Sequence, residues 1–343
     1  MDEEKFAQDF ETMLGQIDNA KTEKLSELAK ITSLDLTKDF VGVDLNGENL
    51  SNDNLSRANF RSANLRSTNF ERTILEGADL RSADLRSANL QSASVECANL
   101  FGVNFEGAEL RGASFERASL INANFENANL TGTNLIATSL LHTDLTGANL
   151  TGAILTRANL GGAKLDQAKL EGSNLIRASL IGAYATNANF KDSKLIRSSL
   201  ESANLEGSIF RGADLESADL EKANLESADL TGANLESADL TSANLESADL
   251  TSANLESADL RKALLRNAKL SGANLNGANL NGANLSGANL NGTRLTLVRV
   301  QNAIFFDSLG VNKELRHDLE ARGAKFIRPP EEPIIVIKNP IPR

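Results

Sequence analysis

The sequence lacks tryptophan and has one tyrosine, one cysteine and only 4% aromatic residues in a chain of 343 residues. It therefore disfavours a core of mixed aromatic side chains, and its apolar residues, mostly Leu and Ala, must pack through one repeated element. The single cysteine, Cys97, forms no internal disulfide and lacks the partner ligands of a zinc site. We predict no metal site and no cofactor.

Proline is absent before residue 329, because all five prolines lie in the last 15 residues. Turns upstream must therefore be made by other residues. No run approaches the ~20 consecutive apolar residues that span a bilayer, and the first residues, MDEEKFAQDF, are acidic where a signal peptide is basic. The sequence predicts no membrane association and a cytoplasmic location.

A period of five residues runs from Leu45 to Phe305 without an insertion and gives 53 units. Every fifth residue, position i, is Leu or Phe except Val95, Ala185 and Val300, while position i−2 is usually Ala and position i−1 is usually Asn or Asp. Positions i−2 and i are two residues apart, so both point to one side of a short extended segment. Gly and Ser at i+2 favour a turn in each unit. The pattern predicts a solenoid with i and i−2 inside.

The units ANLRS, ADLES and ANLNG resemble the A(D/N)LXX motif of the pentapeptide-repeat family. The resemblance implies an all-β solenoid, a right-handed quadrilateral β-helix with four units per coil, so that 53 units make about 13 coils. Residues 226–255 repeat with a period of ten, which stacks like residues on like if a coil has an even number of sides. A coil with three sides would stack unlike residues of this repeat on one another.

The flanking sequences predict short helices that cap the rod. We divide the chain into an N-terminal helical cap at 1–40, the solenoid at 41–306, a C-terminal cap helix at 307–327 and a Pro-rich flexible tail at 328–343. Asn312 is the predicted N-cap of the last helix, and a similar terminal helix follows the last coil in cyanobacterial-like members of the family. Two helices are predicted in the first region from apolar residues at helical spacing, which are Phe6, Phe10, Met13, Leu14 and Ile17, and then Leu25, Leu28 and Ile31.

The sequence offers no arrangement of nucleophile, base and orienting group. Its two histidines, His142 and His317, lie far apart in the sequence and far from Cys97. The glycines occur singly at the turn period and form neither GxGxxG nor a GKS or GKT phosphate loop. We therefore predict that the protein is not an enzyme and acts through its surface.

Before the last coil, the large apolar residues at outward i+1 positions fall on two adjoining faces if residues 20 apart stack. The first face carries Phe101, Ile121, Leu141 and Ile181, with Gly161 as an interruption, and the second carries Ile136, Ile176 and Ile196. Contiguous exposed apolar surface marks interaction sites, so we predict a protein-binding or self-association surface. The alternatives are that isolated exposed Leu and Ile are normal, or that these residues pack under a loop or the tail.

Residues 201–260 carry a net charge of −12, whereas the whole chain carries −11. Stacked carboxylates ~5 Å apart repel one another and favour cations or a basic partner, and their density along the rod is comparable to that of duplex DNA. The charge nevertheless divides between two sides, and Arg261, Lys262 and Arg266 follow at once. This predicted acidic band comprises Glu216, Asp219, Glu236, Asp239, Glu256 and Asp259 on one side and Glu226, Asp229, Glu246 and Asp249 on the opposite side.

Together these features predict an interaction rod or scaffold, regulatory or assembly-related, with an unidentified protein partner and the option of a homodimer. The alternative is a DNA-mimicking modulator of a topoisomerase acting through residues 201–260, because some members of the family act in that way. A third is an ice-binding or cation-binding surface on the asparagines between Asn274 and Asn289. The net charge of −11 argues against direct binding of nucleic acid.

Overall fold

A computed structural model describes residues 22–327, and their backbone pairing forms one continuous ladder. Asp44 makes a parallel bridge with Asn64, Asn64 bridges Asp84, and the same step of 20 residues recurs up to Asn289 and Leu309. A step of 20 residues corresponds to four five-residue units per coil. The four-sided coil that the family resemblance implies is therefore observed.

Each side of a coil is held to the next coil by a short set of backbone hydrogen bonds. The amide of Leu55 donates to the carbonyl of Ile74 (2.8 Å), that of Ile74 donates to Asp53 (2.9 Å), and that of Arg57 donates to Glu76 (2.8 Å). Only the residue at i−1 forms a β-bridge. The described residues therefore contain isolated parallel bridges and no strand of several residues. The expected β-structure is thus built from single bridged residues that alternate with turns, because each side is too short for more.

The corners of the coil explain why Gly and Ser are frequent at position i+2. At one corner the amide of Ala58 donates to the carbonyl of Leu55 (3.0 Å), and Arg57 between them has a φ of +60°. A four-residue turn with positive φ at its third position only has the form of a type II turn. Glycine adopts this conformation without a steric penalty, and Ser82 shows that small polar residues also occupy it, with a φ of +57°.

Asparagine at i−1 serves both its own corner and the next coil. The side-chain oxygen of Asn54 accepts a hydrogen bond from the amide of Ser56 (3.1 Å), which closes the turn. The side-chain amide of Asn89 donates to the oxygen of Asn69 (3.1 Å), and that of Asn69 donates to Asn49 (3.1 Å). The Asn or Asp of the motif is therefore a structural residue as well as an outward one.

The interior consists of residues at i and i−2, as predicted. Leu150 and Ala148 are both 0% exposed. Where Phe replaces Leu at i, rings stack at the spacing of the coils, with centroids 4.8 Å apart for Phe105 and Phe125. Where Ser or Thr replaces Ala at i−2, the buried hydroxyl donates a hydrogen bond to a backbone carbonyl, as from Thr68 to Leu45 (2.7 Å).

Helix α1, Leu25–Ile31, packs on the first coil and buries Ser26 and Ala29. Its N-cap residue, Lys24, makes no capping hydrogen bond through its side chain. The helix is anchored instead by Asp53, a buried residue at i−2 whose carboxylate accepts from the Ser26 amide (3.0 Å), the Ser26 hydroxyl and the Asn54 amide (2.7 Å). The helix predicted around Leu25, Leu28 and Ile31 is thus present, but Ile31 is 39% exposed because the anchored face is that of Ser26.

Helix α2, Lys313–Ala321, begins as predicted at Asn312, whose side chain accepts a hydrogen bond from the amide of Leu315 (2.8 Å). The pairing ladder continues beyond this helix, because Lys325 bridges Ile304. Neither α1 nor α2 has the length and apolar character needed to traverse a lipid bilayer. The helix predicted from Phe6 to Ile17 and the tail at 328–343 lie outside the described residues.

Candidate interaction surface

The apolar residues predicted at i+1 occupy two neighbouring corners of the coil. Ile136 lies in the turn from Leu135 to Thr138, and Leu141 lies in the next turn. Phe101 and Ile181 are 45% and 46% exposed. The other five are half-buried, and we call the whole set the apolar face: Phe101, Ile121, Ile136, Leu141, Ile176, Ile181 and Ile196.

Between the two apolar corners runs a side of the rod with short side chains. Ser139 at i−1 sits between Ile136 and Leu141 in the chain, and its bridges connect it to Ser119 and Asn159 in the neighbouring coils. The same ladder continues through Ser179 and Ser199. We call this row of short side chains between two apolar edges the trough. Sorting only the i+1 residues of the sequence misses this trough.

Gly161 leaves the apolar face continuous, although the sequence predicts an interruption there. A Cβ atom built at residue 161 would lie 3.0 Å from Cδ2 of Leu141 and 3.3 Å from the side-chain oxygen of Asn159. Leu141 therefore occupies the space that a side chain at 161 would need. The glycine makes room for the leucine, and the apolar corner continues to Ile181.

A column of arginines borders the trough on the corner that also carries Ile176 and Ile196. Arg157, Arg177 and Arg197 stand one coil apart at i+2, are exposed, and have φ values of +59°, +58° and +55°. Of the six arginines with positive φ in the described part of the chain, five lie on this corner. Within residues 22–327 no side-chain hydrogen bond or ion pair engages any member of this arginine column.

The acidic band is partly neutralised on one of its two sides. The Arg211 guanidinium approaches Asp229 at 2.6 Å, Lys269 approaches Asp249 at 3.1 Å, and Arg266 approaches Glu246 at 2.6 Å. Burial opposes ionisation of Asp229, but the hydrogen bonds from Thr231 and Arg211 outweigh it and hold the pKa of this carboxyl below its ordinary value. This side therefore presents much less unbalanced charge than the sequence suggests.

The other side of the acidic band continues the trough toward the C-terminus. Ser199 bridges Asp219, which bridges Asp239 and then Asp259. Asp259 pairs with Arg261 at 2.8 Å. The remaining carboxylates of this side form no ion pair among the described residues, although Lys222 interacts electrostatically with Asp219 and Arg261 with Asp239. They are Glu216, Asp219, Glu236, Asp239 and Glu256. Apolar and cationic groups thus occupy the same coils, and acidic groups follow them along this side of the rod.

The isolated residues considered for chemistry do not come together. His142 is an outward residue whose ring covers Gly162, since a Cβ atom there would lie 2.6 Å from the ring Nδ1. His317 is exposed on α2, and Cys97 is exposed on the corner that carries the arginine column. No group of three or more His, Cys, Asp or Glu able to hold a metal ion occurs in the part of the chain that the structure describes.

A groove of about 490 Å³ follows the arginine corner from the N-terminal end of the rod toward the apolar face. It is lined by Ser56, Arg57, Glu76, Gly77, Glu96 and Cys97. These residues come from three successive coils, because Arg57, Gly77 and Cys97 are 20 residues apart. The groove therefore leads along the rod axis from the coil that holds α1.

The family model described as "Pentapeptide repeats (8 copies)" matches the chain in several segments, which together span residues 39–96 and 98–296. The chain belongs to the pentapeptide-repeat family. Members of this family fold as right-handed quadrilateral β-helices, in agreement with the 20-residue coil of this chain, and are in general non-catalytic structural or interaction proteins.

Several solved structures are similar to this pentapeptide-repeat protein. HetL, involved in heterocyst differentiation regulation in the cyanobacterium Nostoc sp. strain PCC 7120, is 36% identical over 63% of this chain and 89% of its own, with a TM-score of 0.35. Alr5209 from Nostoc PCC 7120 is 33% identical over 30% of this chain and 84% of its own, with a TM-score of 0.29. QnrB1, a plasmid-mediated fluoroquinolone resistance protein, is 16% identical over 67% and 98%, with a TM-score of 0.32. No curated protein matches the chain.

Proposed function

We propose that this protein is a non-enzymatic interaction rod that binds a protein partner through the apolar face. In this proposal the solenoid has about 13 coils, α1 and α2 cap its two ends, and the protein works in the cytoplasm without cofactor, metal or membrane. Capping is favoured by the burial of Ala29 in α1 and of Leu319 in α2, because an open terminal coil would expose unpaired backbone and apolar interior.

The observation that carries the proposal is that, before the last coil, all seven large apolar side chains at i+1 lie on two corners that border one trough. Elsewhere on the repeats, positions i+1 are occupied mainly by charged and small polar residues. The trough and the two apolar corners extend over the same coils along the rod, which suits an elongated partner. Central apolar anchors of this kind contribute most of the energy of a protein interface.

The proposal is tested by changing Ile121, Leu141 and Ile181 together to Ser. Ile121 and Leu141 are half-buried, so each change should cost roughly 1 kcal/mol of stability and leave the solenoid folded. Binding of a partner, identified beforehand by capture from the native host, should be lost. Circular dichroism checks the fold, and surface plasmon resonance measures the binding.

A matched control changes three outward i+1 residues on another corner to Ser, namely Glu106, Glu126 and Glu206. These side chains are exposed and make no ion pair among the described residues. The control should retain the partner. If the apolar variant also retains it at full affinity, the apolar face is not the binding surface, and if the apolar variant unfolds, these residues belong to the core.

The second candidate is a DNA-mimicking modulator of a topoisomerase that uses the acidic band. It is favoured by the five carboxylates that form no ion pair among the described residues, on the side that includes Asp219 and Asp239, and disfavoured by the ion pairs on the opposite side. A supercoiling assay with purified gyrase separates it from the first proposal. Inhibition that disappears on changing Glu216, Glu236 and Glu256 to Gln would establish the second function.

The ice-binding or cation-binding surface and the homodimer are tested by separate measurements. An ice-binding or cation-binding surface on the Asn274 to Asn289 segment is disfavoured because Asn279 and Asn284 are 6% and 9% exposed and accept hydrogen bonds from the amides of their own turns. Thermal hysteresis tests the ice-binding option. A homodimer through the apolar face is tested by sedimentation equilibrium, and the apolar variant should then be monomeric.

A further inference from the structure

We propose that two copies of this chain associate side by side and antiparallel, through the corner that carries the arginine column. This inference goes beyond the proposed function, because the occupant of the surface is a second copy and the test needs no other protein. The arginine column continues directly into glutamates, since the amide of Arg197 donates to the carbonyl of Glu216 (3.0 Å) and that of Ser217 donates to Glu236 (2.9 Å). We call this continuation the glutamate column, and it comprises Glu216, Glu236 and Glu256.

The charge of neither column is balanced within the described part of the chain. The arginine column makes no side-chain hydrogen bond or ion pair there. The glutamate column makes no ion pair there, and its carboxylates accept hydrogen bonds only from Asn254 and Asn274 of the following coils. The two columns have one charge per coil over three coils each, with opposite signs. A half-turn of the rod end over end therefore converts this row of charges into its own complement.

One register pairs every charge of the two columns. A two-fold axis that crosses the rod between the coils of Arg197 and Glu216 sets Arg197 against Glu216 of the second copy. Arg177 then faces Glu236 and Arg157 faces Glu256, and the symmetry makes six pairs. Sliding one copy by one coil in either direction leaves four pairs and sets Arg197 or Glu216 against its own counterpart. The charges therefore specify the register as well as the direction.

The adjoining side of the rod fits the same arrangement. Along this side, the three coils with an arginine carry a hydroxyl or amide donor at i−1, and the next three coils carry a carboxylate. The half-turn therefore sets hydrogen-bond donors against acceptors. The facing pairs are Ser199 with Asp219, Ser179 with Asp239, and Asn159 with Asp259 of the second copy. Two parallel copies, related by an axis along the rod, would instead set each aspartate against itself.

The apolar face does not hold this dimer together. In the paired register Leu141 faces Asn281 and Ile181 faces Thr241 of the second copy. The variant with Ile121, Leu141 and Ile181 changed to Ser should therefore remain dimeric. The second copy nevertheless lies over these residues, so dimerisation and binding of the proposed partner would exclude each other. Because different variants abolish the two contacts, either proposal can fail while the other stands.

The register is measured with a spin label on Cys97, the only cysteine of the chain, which is exposed. Cys97 lies five coil steps before Arg197, and the axis lies half a step beyond Arg197. Two labels are therefore eleven steps apart along the rod, which is about 53 Å at ~4.8 Å per step. Double electron–electron resonance should give this distance. A short distance from parallel copies, a distance that fits another register, or a chain that stays monomeric at about 0.5 mM in sedimentation equilibrium would overturn the inference.

The pairing is tested by two double variants of identical composition. The matched variant combines Arg177→Glu with Glu236→Arg, which face each other, so all six pairs remain and it should dimerise as the parent does. The mismatched variant combines Arg177→Glu with Glu216→Arg and turns four of the six pairs into like-charge contacts. Its dimer should be at least about tenfold weaker, and one-molar salt should weaken the parent dimer. Circular dichroism checks that both variants are folded. Equal dimerisation of the two variants, or a folded matched variant that is monomeric, would contradict the proposed pairing.

Discussion

Replacement of Ala148 by Leu tests the assignment of positions i−2 and i to the interior. Ala148 is 0% exposed, and its neighbours in the adjoining coils, Ala128 and Ala168, are 1% and 0% exposed. The side chain has no room to expand along the rod because the amide of Lys169 donates to the carbonyl of Ala148 at 2.9 Å. A leucine must therefore distort the core or break this hydrogen bond between coils.

The cost of this change follows from both effects. Overpacking a close-packed core costs about 1 to 3 kcal/mol, and loss of the Lys169 hydrogen bond adds about 1 kcal/mol. Amide hydrogen exchange of the coils around residue 148 should therefore speed up between about thirtyfold and about seven-hundredfold. Hydrogen exchange is the appropriate assay because the coils of a repeat protein can unfold locally, so the coils around residue 148 can open while distant coils stay folded.

The control for Ala148→Leu introduces the same side chain at an outward position. Glu126 is exposed at i+1 and its side chain makes no hydrogen bond among the described residues. Glu126→Leu should change local exchange less than about twofold, in keeping with the small effects of most surface substitutions. Similar exchange rates for the two leucine variants would refute the inward assignment.

Two further predictions concern Asp53 and the ion pair of Asp79. Asp53→Ala leaves the buried Ser26 groups without their acceptor at a cost of about 1 to 3 kcal/mol, so hydrogen exchange of α1 should lose protection while Asp53→Asn retains part of it. Arg81 donates to both carboxylate oxygens of Asp79 at 2.8 and 2.5 Å, and this hydrogen bonding holds the pKa of Asp79 below its ordinary value of 3.8. A lowered pKa contributes stability that is present above that ordinary value and lost as the pH falls through the folded value. In urea unfolding, Arg81→Gln should therefore destabilise at pH 7 and much less at about pH 2, whereas a difference independent of pH would contradict this account.

The sequence alone determined the repeat, its period and the inward positions. A five-residue unit contains its own turn, so every unit adopts the same local conformation and places its Leu and Ala on the same side. Leu150 and Ala148 could be assigned to the core for this reason. The period of ten over residues 226–255 indicated an even number of sides, and the bridges 20 residues apart show four.

Which outward side chains meet depends on how successive coils pack against one another. Gly161 looked like a gap in the sequence, yet Leu141 from the preceding coil fills it. The pairing of Arg211 with Asp229 likewise joins residues 18 positions apart, because stacking brings the corner of one coil beside the side of the next. Such contacts depend on how each side chain leans along the rod, and the repeat pattern does not specify that direction.

The role of Asp53 illustrates the same limit at the end of the rod. In the sequence it is a polar residue at a position where the repeat usually has Ala, and nothing near it marks it as a partner of a helix 27 residues upstream. The role of its carboxylate, which accepts hydrogen bonds from Ser26, is visible only when α1 lies against the first coil. The periodic interior follows from local sequence rules, whereas the helix anchor, the ion pairs and the trough between the apolar corners arise only when distant segments pack together.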